Sequence, residues 1–443
     1  MDPQHLQGGS EEEDVVRRGH ARFDGAVLAR AARRGVTVLA ALCGAGAALA
    51  AGPAVDEPVP LSITYVSDES SSTGSIAETA SARQNGSFGA RTAIEELNLN
   101  GGFLGGTYAL RAFVLANDGA AGDDLRAALR DGSRLVVADL AAPDLLRLAD
   151  LPEADGAVIV DGRTSDDVLR EGECRRNVLH VLPDWSMRAD ALGQFLARRN
   201  WRRWFLLYGT AASDHAYADA VRRAARRVGA RLVADREFSV SRDDETENDR
   251  REQVPALLIA ATRIEADYDV LVVADTTDAF GPQLPFDTAR PRPIAGTHGL
   301  VPAAWHRGFR EFAARAMTLR FMRLAGREMS ERDYGSWLAV AVLGEAVVRA
   351  GTHDIAAIDA YLRSERLSVP AFKGEGVNFR PWDGQLRQPV ALFGPDALIS
   401  MSPQEGFTHA GHASDALGRD RDESACRFRR RGGETREESG ESR

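Results

Sequence analysis

The chain has 443 residues, 44% of them hydrophobic, and a formal net charge of −10 at pH 7. That length exceeds one ordinary core and suits two lobes plus tails. The acidic balance excludes a general nucleic-acid binder, which needs a net basic surface or stripe.

Arg30, Arg33 and Arg34 precede the apolar run 36–51, and Ala48-Leu49-Ala50 offers small residues for cleavage. Residues 1–51 therefore read as a leader and export signal cut near Ala50, which places the mature protein in the periplasm. The run is shorter than the roughly 20 residues of a membrane span. The Gly-Val-Thr after Arg33-Arg34 is a poor twin-arginine match, and Leu42 before Cys43 a poor lipoprotein one. Residues 1–29 fit either a misassigned start or a disordered extension. Two cysteines remain after cleavage, Cys174 and Cys426. A single disulfide pinning the C-terminal extension to the first lobe fits that count, and so does one buried thiol with one loose thiol.

After a proline-rich linker at 53–60, the run 61–66 predicts a first strand. Ser67 and Asp68 open a polar loop, 67–75, of the kind that lines clefts at strand ends, although its composition also fits a plain surface loop. A helix is predicted over 89–97, stopped by Asn98-Leu99-Asn100-Gly101-Gly102, residues tolerant of positive φ. Strands follow at 108–115, 135–138 and 157–160, with helices at 123–130 and 143–149 between them. This alternation predicts a parallel, doubly wound α/β sheet.

The stretch 177–209 admits two readings. An apolar run, 177–182, ends at Pro183, which lacks a backbone donor; Asp184 or Ser186 can then cap a helix whose Met187, Ala191, Phe195 and Leu192, Leu196 share a face. Either one lobe ends here and another begins, or this is an ordinary βαβ step in one sheet. Strands at 204–208, 231–234, 268–274 and 292–296 and helices at 217–228 and 254–261 repeat the rhythm. The charge-dense loop 241–251 carries five carboxylates but no glycine for a tight calcium turn, so it reads as solvated. Helices are predicted over 303–326, 333–350 and 355–362, and strands over 379–385, with its turn, and 388–393. The tail 429–443 reads as disordered.

No G-x-S-x-G, H-E-x-x-H, P-loop or C-x-x-C is present. His409 and His412 have an H-x-x-H spacing without a third ligand nearby, and the other histidines are scattered. These residues predict a binder, not an enzyme, with no metal and no cofactor.

The segment 89–106, GARTAIEELNLNGGFLGG, resembles the first helix and glycine turn of type 1 periplasmic substrate-binding proteins, which include the branched-chain amino acid receptors of ABC transporters. CRRNVLHVLP at 174–183, PRPIAGTHGLVPAAWH at 291–306, REMSERDYGSWLAV at 327–340, FKGEGVNFRPWDGQLRQP at 372–389 and SPQEGF at 402–407 resemble a narrower branch. That branch is the substrate-binding component associated with pyrroloquinoline quinone dependent alcohol dehydrogenase systems. The resemblance implies two lobes, each a doubly wound, mostly parallel sheet flanked by helices: 60–182 with 299–374, and 183–298 with 375–410. Three crossovers would join them near 182–184, 295–299 and 374–378, and 411–443 would form a C-terminal extension.

It further implies a monomer that binds a small molecule in the interlobe cleft and hands it to ABC permease subunits. A sensory or accessory protein of the same oxidation system is the rival reading. Ser165 matches a ligand-binding hydroxyl of the family, while Ala141 and Ala142 stand where another hydroxyl pair would be, which argues against an amino acid ligand. Asp161, Asp184, Trp185, Tyr217, Asp275 and Thr297 join Ser67 and Asp68 as residues expected to face the cleft from strand ends. Thr276 and Ala289 replace a glutamate and a tryptophan of the branch. An alcohol or its oxidation product, the quinone, or a metal complex all fit the association.

Overall fold

The computed structural model describes residues 61–68, 86–101, 107–115, 122–239, 247–407 and 409–428. The leader with its cleavage site, the linker, the loop from 69, the glycines at 102–106, most of the charge-dense loop and the tail from 429 lie outside the described residues.

The first lobe is built on β1 (Leu61–Asp68), α1 (Ser87–Gly101), β2 (Tyr108–Leu115), α2 (Asp123–Arg130), β3 (Leu135–Asp139), α3 (Ala142–Ala149), β4 (Val158–Asp161) and β5 (Val178–His180). Its sheet is all parallel in the order β2-β1-β3-β4-β5. α4 (Trp185–Arg198) then leads into the second lobe, with β6 (Arg203–Tyr208), α5 (Ala212–Val228), β7 (Arg231–Glu237), α6 (Glu247–Thr262), β8 (Val270–Ala274) and β9 (Ile294–Gly296). That sheet is also parallel, in the order β7-β6-β8-β9. Of the two readings of 177–209, the structure takes the one with two lobes.

The central strands of both sheets are covered on both faces, which is why β3, β4, β6 and β8 read as near-continuous apolar runs. Alternate residues serve opposite sides. In the first sheet Tyr65, Val137 and Val160 join one buried cluster, and Val66, Val136 and Ile159 join another. In the second, Leu206 and Val272 pack towards α4 and α5, whereas Phe205, Leu207 and Val273 pack with Val254 and Leu258 of α6.

After β9 the chain returns through β10 (Val301–Ala303), α7 (Ala314–Ala325), α8 (Glu331–Ala350), α9 (Ile355–Leu362), β11 (Val369–Pro370), β12 (Gly376–Phe379), β13 (Leu386–Arg387), β14 (Val390–Phe393) and β15 (Leu398–Ser402). α8 lies against α1 and approaches the turn after β4 so closely that a Cβ on Gly335 would stand 2.0 Å from the Gly162 carbonyl oxygen. Val377, Phe379 and Leu386 of β12 and β13 are buried in the first-lobe cluster.

Several predicted helices have different bounds: α5 starts five and α6 seven residues earlier than expected. α1 runs on through Gly101 because the Asn98 amide turns onto the head of β2, donating to the Tyr108 carbonyl at 2.9 Å and accepting from its N–H at 2.7 Å. The helix expected over 303–326 forms only at Ala314–Ala325. Val301–Ala303 instead pairs antiparallel with β14, and Phe312 and Ala313, at φ 51° and 66°, leave the helical region.

Residues 409–428 follow the second lobe and return to the first. Leu417 sits in the second-lobe core, the Gly418 N–H donates to Asp190 on α4 at 2.9 Å, and Asp415 accepts from Arg380 and Arg387, each at 2.9 Å. Cys426 then forms a disulfide with Cys174 of the first lobe.

Candidate functional site

Open α/β sheets hold ligands outside the C-terminal strand ends, where the strand order reverses. In the first sheet that point lies between β1 and β3, where Ser67 pairs in register with Asp139. In the second it lies between β6 and β8, where Tyr208 pairs with Ala274.

At the first rim Ser67 and Asp68 are buried. Asp68 accepts from Arg163 at 2.7 Å and from the Ala141 N–H, at the start of α3, at 3.2 Å. Asp139 accepts from the Tyr65 hydroxyl (2.5 Å), the Gly86 N–H (2.7 Å) and Arg332 at the start of α8 (2.6 Å). Arg332 also lies 3.7 Å from Asp68 Oδ1. Two atoms of this network, Asp68 Oδ1 and Arg332 Nη2, are shielded from solvent and have no hydrogen-bond partner among the described residues.

The wall between the lobes begins at Ser165, whose carbonyl accepts from the Trp185 N–H at 2.9 Å. Trp185 is the first residue of α4 and packs on Tyr217 of α5 with ring centroids 5.3 Å apart. Arg188 stands 5.6 Å over the Trp185 ring, paired with Glu331 at 3.1 Å. The Trp185 Nε1 and the Tyr217 hydroxyl are both buried and have no hydrogen-bond partner among the described residues. Burial pushes the Tyr217 phenol up from its ordinary value, so it stays protonated at neutral pH.

Other residues expected at the cleft are engaged with their own loops. Asp161 accepts from the N–H groups of Arg163 and Thr164 at 2.9 and 3.0 Å and contacts His180 Nδ1 at 2.8 Å. Burial opposes its ionisation, but the His180 contact and the nearby Arg170 hold its carboxyl below the usual range. Asp184 caps α4 by accepting from the Met187 N–H at 2.6 Å. Asp275 accepts from the N–H groups of Ala279, Phe280 and Gly281 at 2.9, 2.9 and 2.6 Å, and the Thr297 hydroxyl accepts from the Asp275 N–H at 3.0 Å. These four shape the rims and present no unpaired carboxylate to a guest.

Sequence reasoning missed Arg163, Asp139 and Arg332 at the first rim and Ser213 and Asp214 at the second. Asp214 accepts from the Thr276 N–H and hydroxyl, both at 2.6 Å, and Ser213 and Thr276 share a hydrogen bond of 2.6 Å. The signal for Asp139 was the carboxylate closing a buried strand at the sheet's switch point. Arg332 lies about 190 residues away from it in sequence, and no local pattern announces the pair.

The sequence profile of the periplasmic binding protein family matches residues 60–280. Among solved structures, a periplasmic binding protein from Burkholderia mallei matches with a TM-score of 0.60 at 15% identity, over 83% of this chain and 99% of its own. A branched-chain amino acid ABC transporter periplasmic ligand-binding protein from Burkholderia xenovorans LB400 also gives 0.60 at 15% identity, with 83% and 99% covered. An ABC transporter solute-binding protein from R. palustris in complex with benzoate gives 0.55 at 12% identity, again over 83% and 99%. These likenesses show the fold. No curated protein matches this sequence.

In this periplasmic binding fold a groove of about 760 Å³ lies at the other end of the first sheet, by the N-terminal ends of β4 and β5, lined by Asp150, Arg175, Asn177 and Asp359 among others. Both of its arginines are already paired, Arg175 with Asp150 at 2.7 Å and Arg176 with Asp359 at 3.3 Å. The wrong strand end and this pairing favour the C-terminal rims as the site. His409 pairs with Asp420 at 3.1 Å and the His412 ring accepts from the Ser414 N–H at 3.3 Å. Among the described residues no group of three or more His, Cys, Asp or Glu is placed to hold a metal ion.

Proposed function

We propose that this protein is the substrate-binding component of an ABC transporter, exported with its leader cut near Ala50 and binding a small molecule between its lobes as a monomer. Ligand contacts both lobes only when they close, so binding shifts the population towards the closed form, which a permease reads. The protein is a carrier and not a catalyst, and it serves a pyrroloquinoline quinone dependent alcohol oxidation system.

One observation carries the reading: of the buried polar atoms without a hydrogen-bond partner among the described residues, those on Asp68, Arg332, Trp185 and Tyr217 lie at the first switch point and at the wall between the lobes. Buried polar groups in folded proteins are normally paired, and a bound guest supplies such partners. The family match and the ABC transporter proteins of the same fold support it. The transport link in the narrower branch rests on the segments at 174–183, 291–306 and 372–389.

The test is a thermal-shift screen of the full chain against alcohols, aldehydes, acids, amino acids and quinones, followed by uptake of the hit in a deletion strain. A stabilising ligand whose uptake is lost on deletion is expected. Intact uptake with impaired alcohol oxidation would favour an accessory role, and absence of any hit would remove the receptor assignment.

A further inference from the structure

The same four atoms define the kind of guest, given that the interlobe site is the ligand's. We propose that the ligand is an uncharged molecule carrying a hydroxyl or similar neutral oxygen on an apolar, ring-sized body, and that carboxylates, α-amino acids included, are excluded.

An anion buried in a site needs a cation or bare N–H groups to offset its lost hydration. At the first rim the N–H group is taken and each guanidinium charge is already offset by one of the protein's own carboxylates, which leaves Arg332 Nη2 as a bare donor without a net charge to spare. The N–H that opens α3, at Ala141, and the Arg163 guanidinium both donate to Asp68, and Arg332 donates to Asp139. Arg188, at the wall, is held by Glu331 and by the carbonyls of Pro183 and Pro302 at 3.2 and 3.1 Å. A guest carboxylate would arrive beside Asp68, a like charge. An ammonium fares no better: Asp139 and Asp161 are already engaged by three and four contacts, and at Asp68 it would meet the Arg163 and Arg332 guanidiniums, like charges that already offset that carboxylate.

What stays unpaired suits a neutral oxygen. Arg332 Nη2 is a donor and Asp68 Oδ1 an acceptor, 3.7 Å apart, too far for a hydrogen bond to each other. A hydroxyl accepts from the first and donates to the second. At the wall, Trp185 Nε1 can only donate, and the Tyr217 phenol is protonated. The Trp185 ring, only partly buried, gives an apolar face for a flat or branched body beside those donors.

A head-group series on one body separates the classes: benzyl alcohol, benzoate and benzylamine, with leucine as a fourth probe, titrated calorimetrically into the full chain. Benzyl alcohol is expected to bind and the other three not. Tyr217→Phe and Trp185→Phe should each weaken benzyl alcohol about 3- to 10-fold, the range for one hydrogen bond to a neutral partner. Both should also raise the melting temperature of the unliganded chain, because each deletes a buried polar atom without a partner; a purely structural role would lower it. Asp68→Asn, which removes the like charge and leaves the Arg163 guanidinium without its carboxylate, should admit benzoate. Binding of benzoate or leucine to the unaltered chain, weakened by Tyr217→Phe, would overturn the neutral class and leave the interlobe site standing. Benzyl alcohol binding untouched by both aromatic variants would overturn the proposal, and binding of none of the four would remove both it and the site.

Discussion

Arg170 Nε donates to Gln385 Oε1 at 2.9 Å, joining the loop after β4 to the hairpin between β12 and β13 across 215 residues. The same guanidinium, almost wholly buried, donates to the carbonyls of Thr164 at 2.9 Å and Leu182 at 3.3 Å and lies 3.9 Å from Asp161. Gln385 Nε2 also donates to the Leu182 carbonyl, at 3.0 Å. This knot fixes the start of the first crossover. Arg170→Met should lower stability by about 3–5 kcal/mol, because it leaves buried acceptors and Asp161 uncompensated. The midpoint and slope of urea unfolding measure this, and a loss below about 1 kcal/mol would show the knot to be dispensable.

The disulfide between Cys174 and Cys426 closes a loop with a sequence separation of 252. Its last residues also hold the lobes: the Ala425 N–H donates to Glu171 at 3.0 Å, and Arg419 pairs with Glu171 at 3.0 Å. Cys426→Ser should cost about 2–5 kcal/mol, and a reducing agent should shift the unaltered protein's unfolding midpoint by the same amount while leaving the variant's unmoved. Equal midpoints for variant and unaltered protein would mean that the bridge stabilises nothing.

Close backbone packing of α8 on the turn after β4 predicts sensitivity at one glycine. In Gly335→Ala the added methyl meets the Gly162 carbonyl at 2.0 Å and Leu182 at 3.1 Å, so α8 must shift, at a cost of about 1–3 kcal/mol or more. Gly122→Ala, with open space around the added atom, serves as the control and should change stability little. Equal melting temperatures for the two variants would contradict the packing.

Asp167 accepts from the Ser186 N–H at 3.0 Å and its hydroxyl at 2.6 Å, where α4 meets the first lobe. Burial, and then the neighbouring Asp184, push its pKa up to about 7 from an ordinary 3.8. The folded state therefore binds this proton more tightly than the unfolded state, and stability falls as pH rises from about 4 through 7. Burial raises Asp383 to about 7 as well, adding the same slope. Lys373, the single lysine, lies between the Phe309 and Tyr334 rings with its pKa pushed down to about 7 by burial, so its own destabilisation is relieved only above pH 7. Asp167→Asn should flatten the decline in melting temperature between pH 4 and 7, with its largest stabilisation above pH 7. An unchanged pH profile would show that Asp167 ionises freely.

Much of the fold was legible because the central strands of both sheets are buried on both faces, so apolar runs such as 135–138 and 268–274 mark strands without ambiguity. Pro183 with the Asp184 cap marked the passage between lobes for the same local reason. The helix expected over 303–326 lost its first part, where Ala303 pairs with β14 and Phe312 and Ala313 take positive φ just before α7. At the site, sequence could place Asp161 and Asp275 at strand ends but could not tell that their own loops engage them, since those N–H groups are presented only by the folded turns. The features that define the site, the Trp185–Tyr217 contact and the Asp68–Arg332 gap, join residues 32 and 264 positions apart and have no local signature.

The central claim is that a guest sits between the two switch points. Crystallising the full chain with the strongest compound from the thermal-shift screen tests it most directly. The account predicts ligand density within hydrogen-bond distance of Trp185 Nε1 or the Tyr217 hydroxyl, flanked by Asp68 and Arg332. Density instead in the groove beside Asp150 and Arg175, with those four atoms still unpaired, would contradict it.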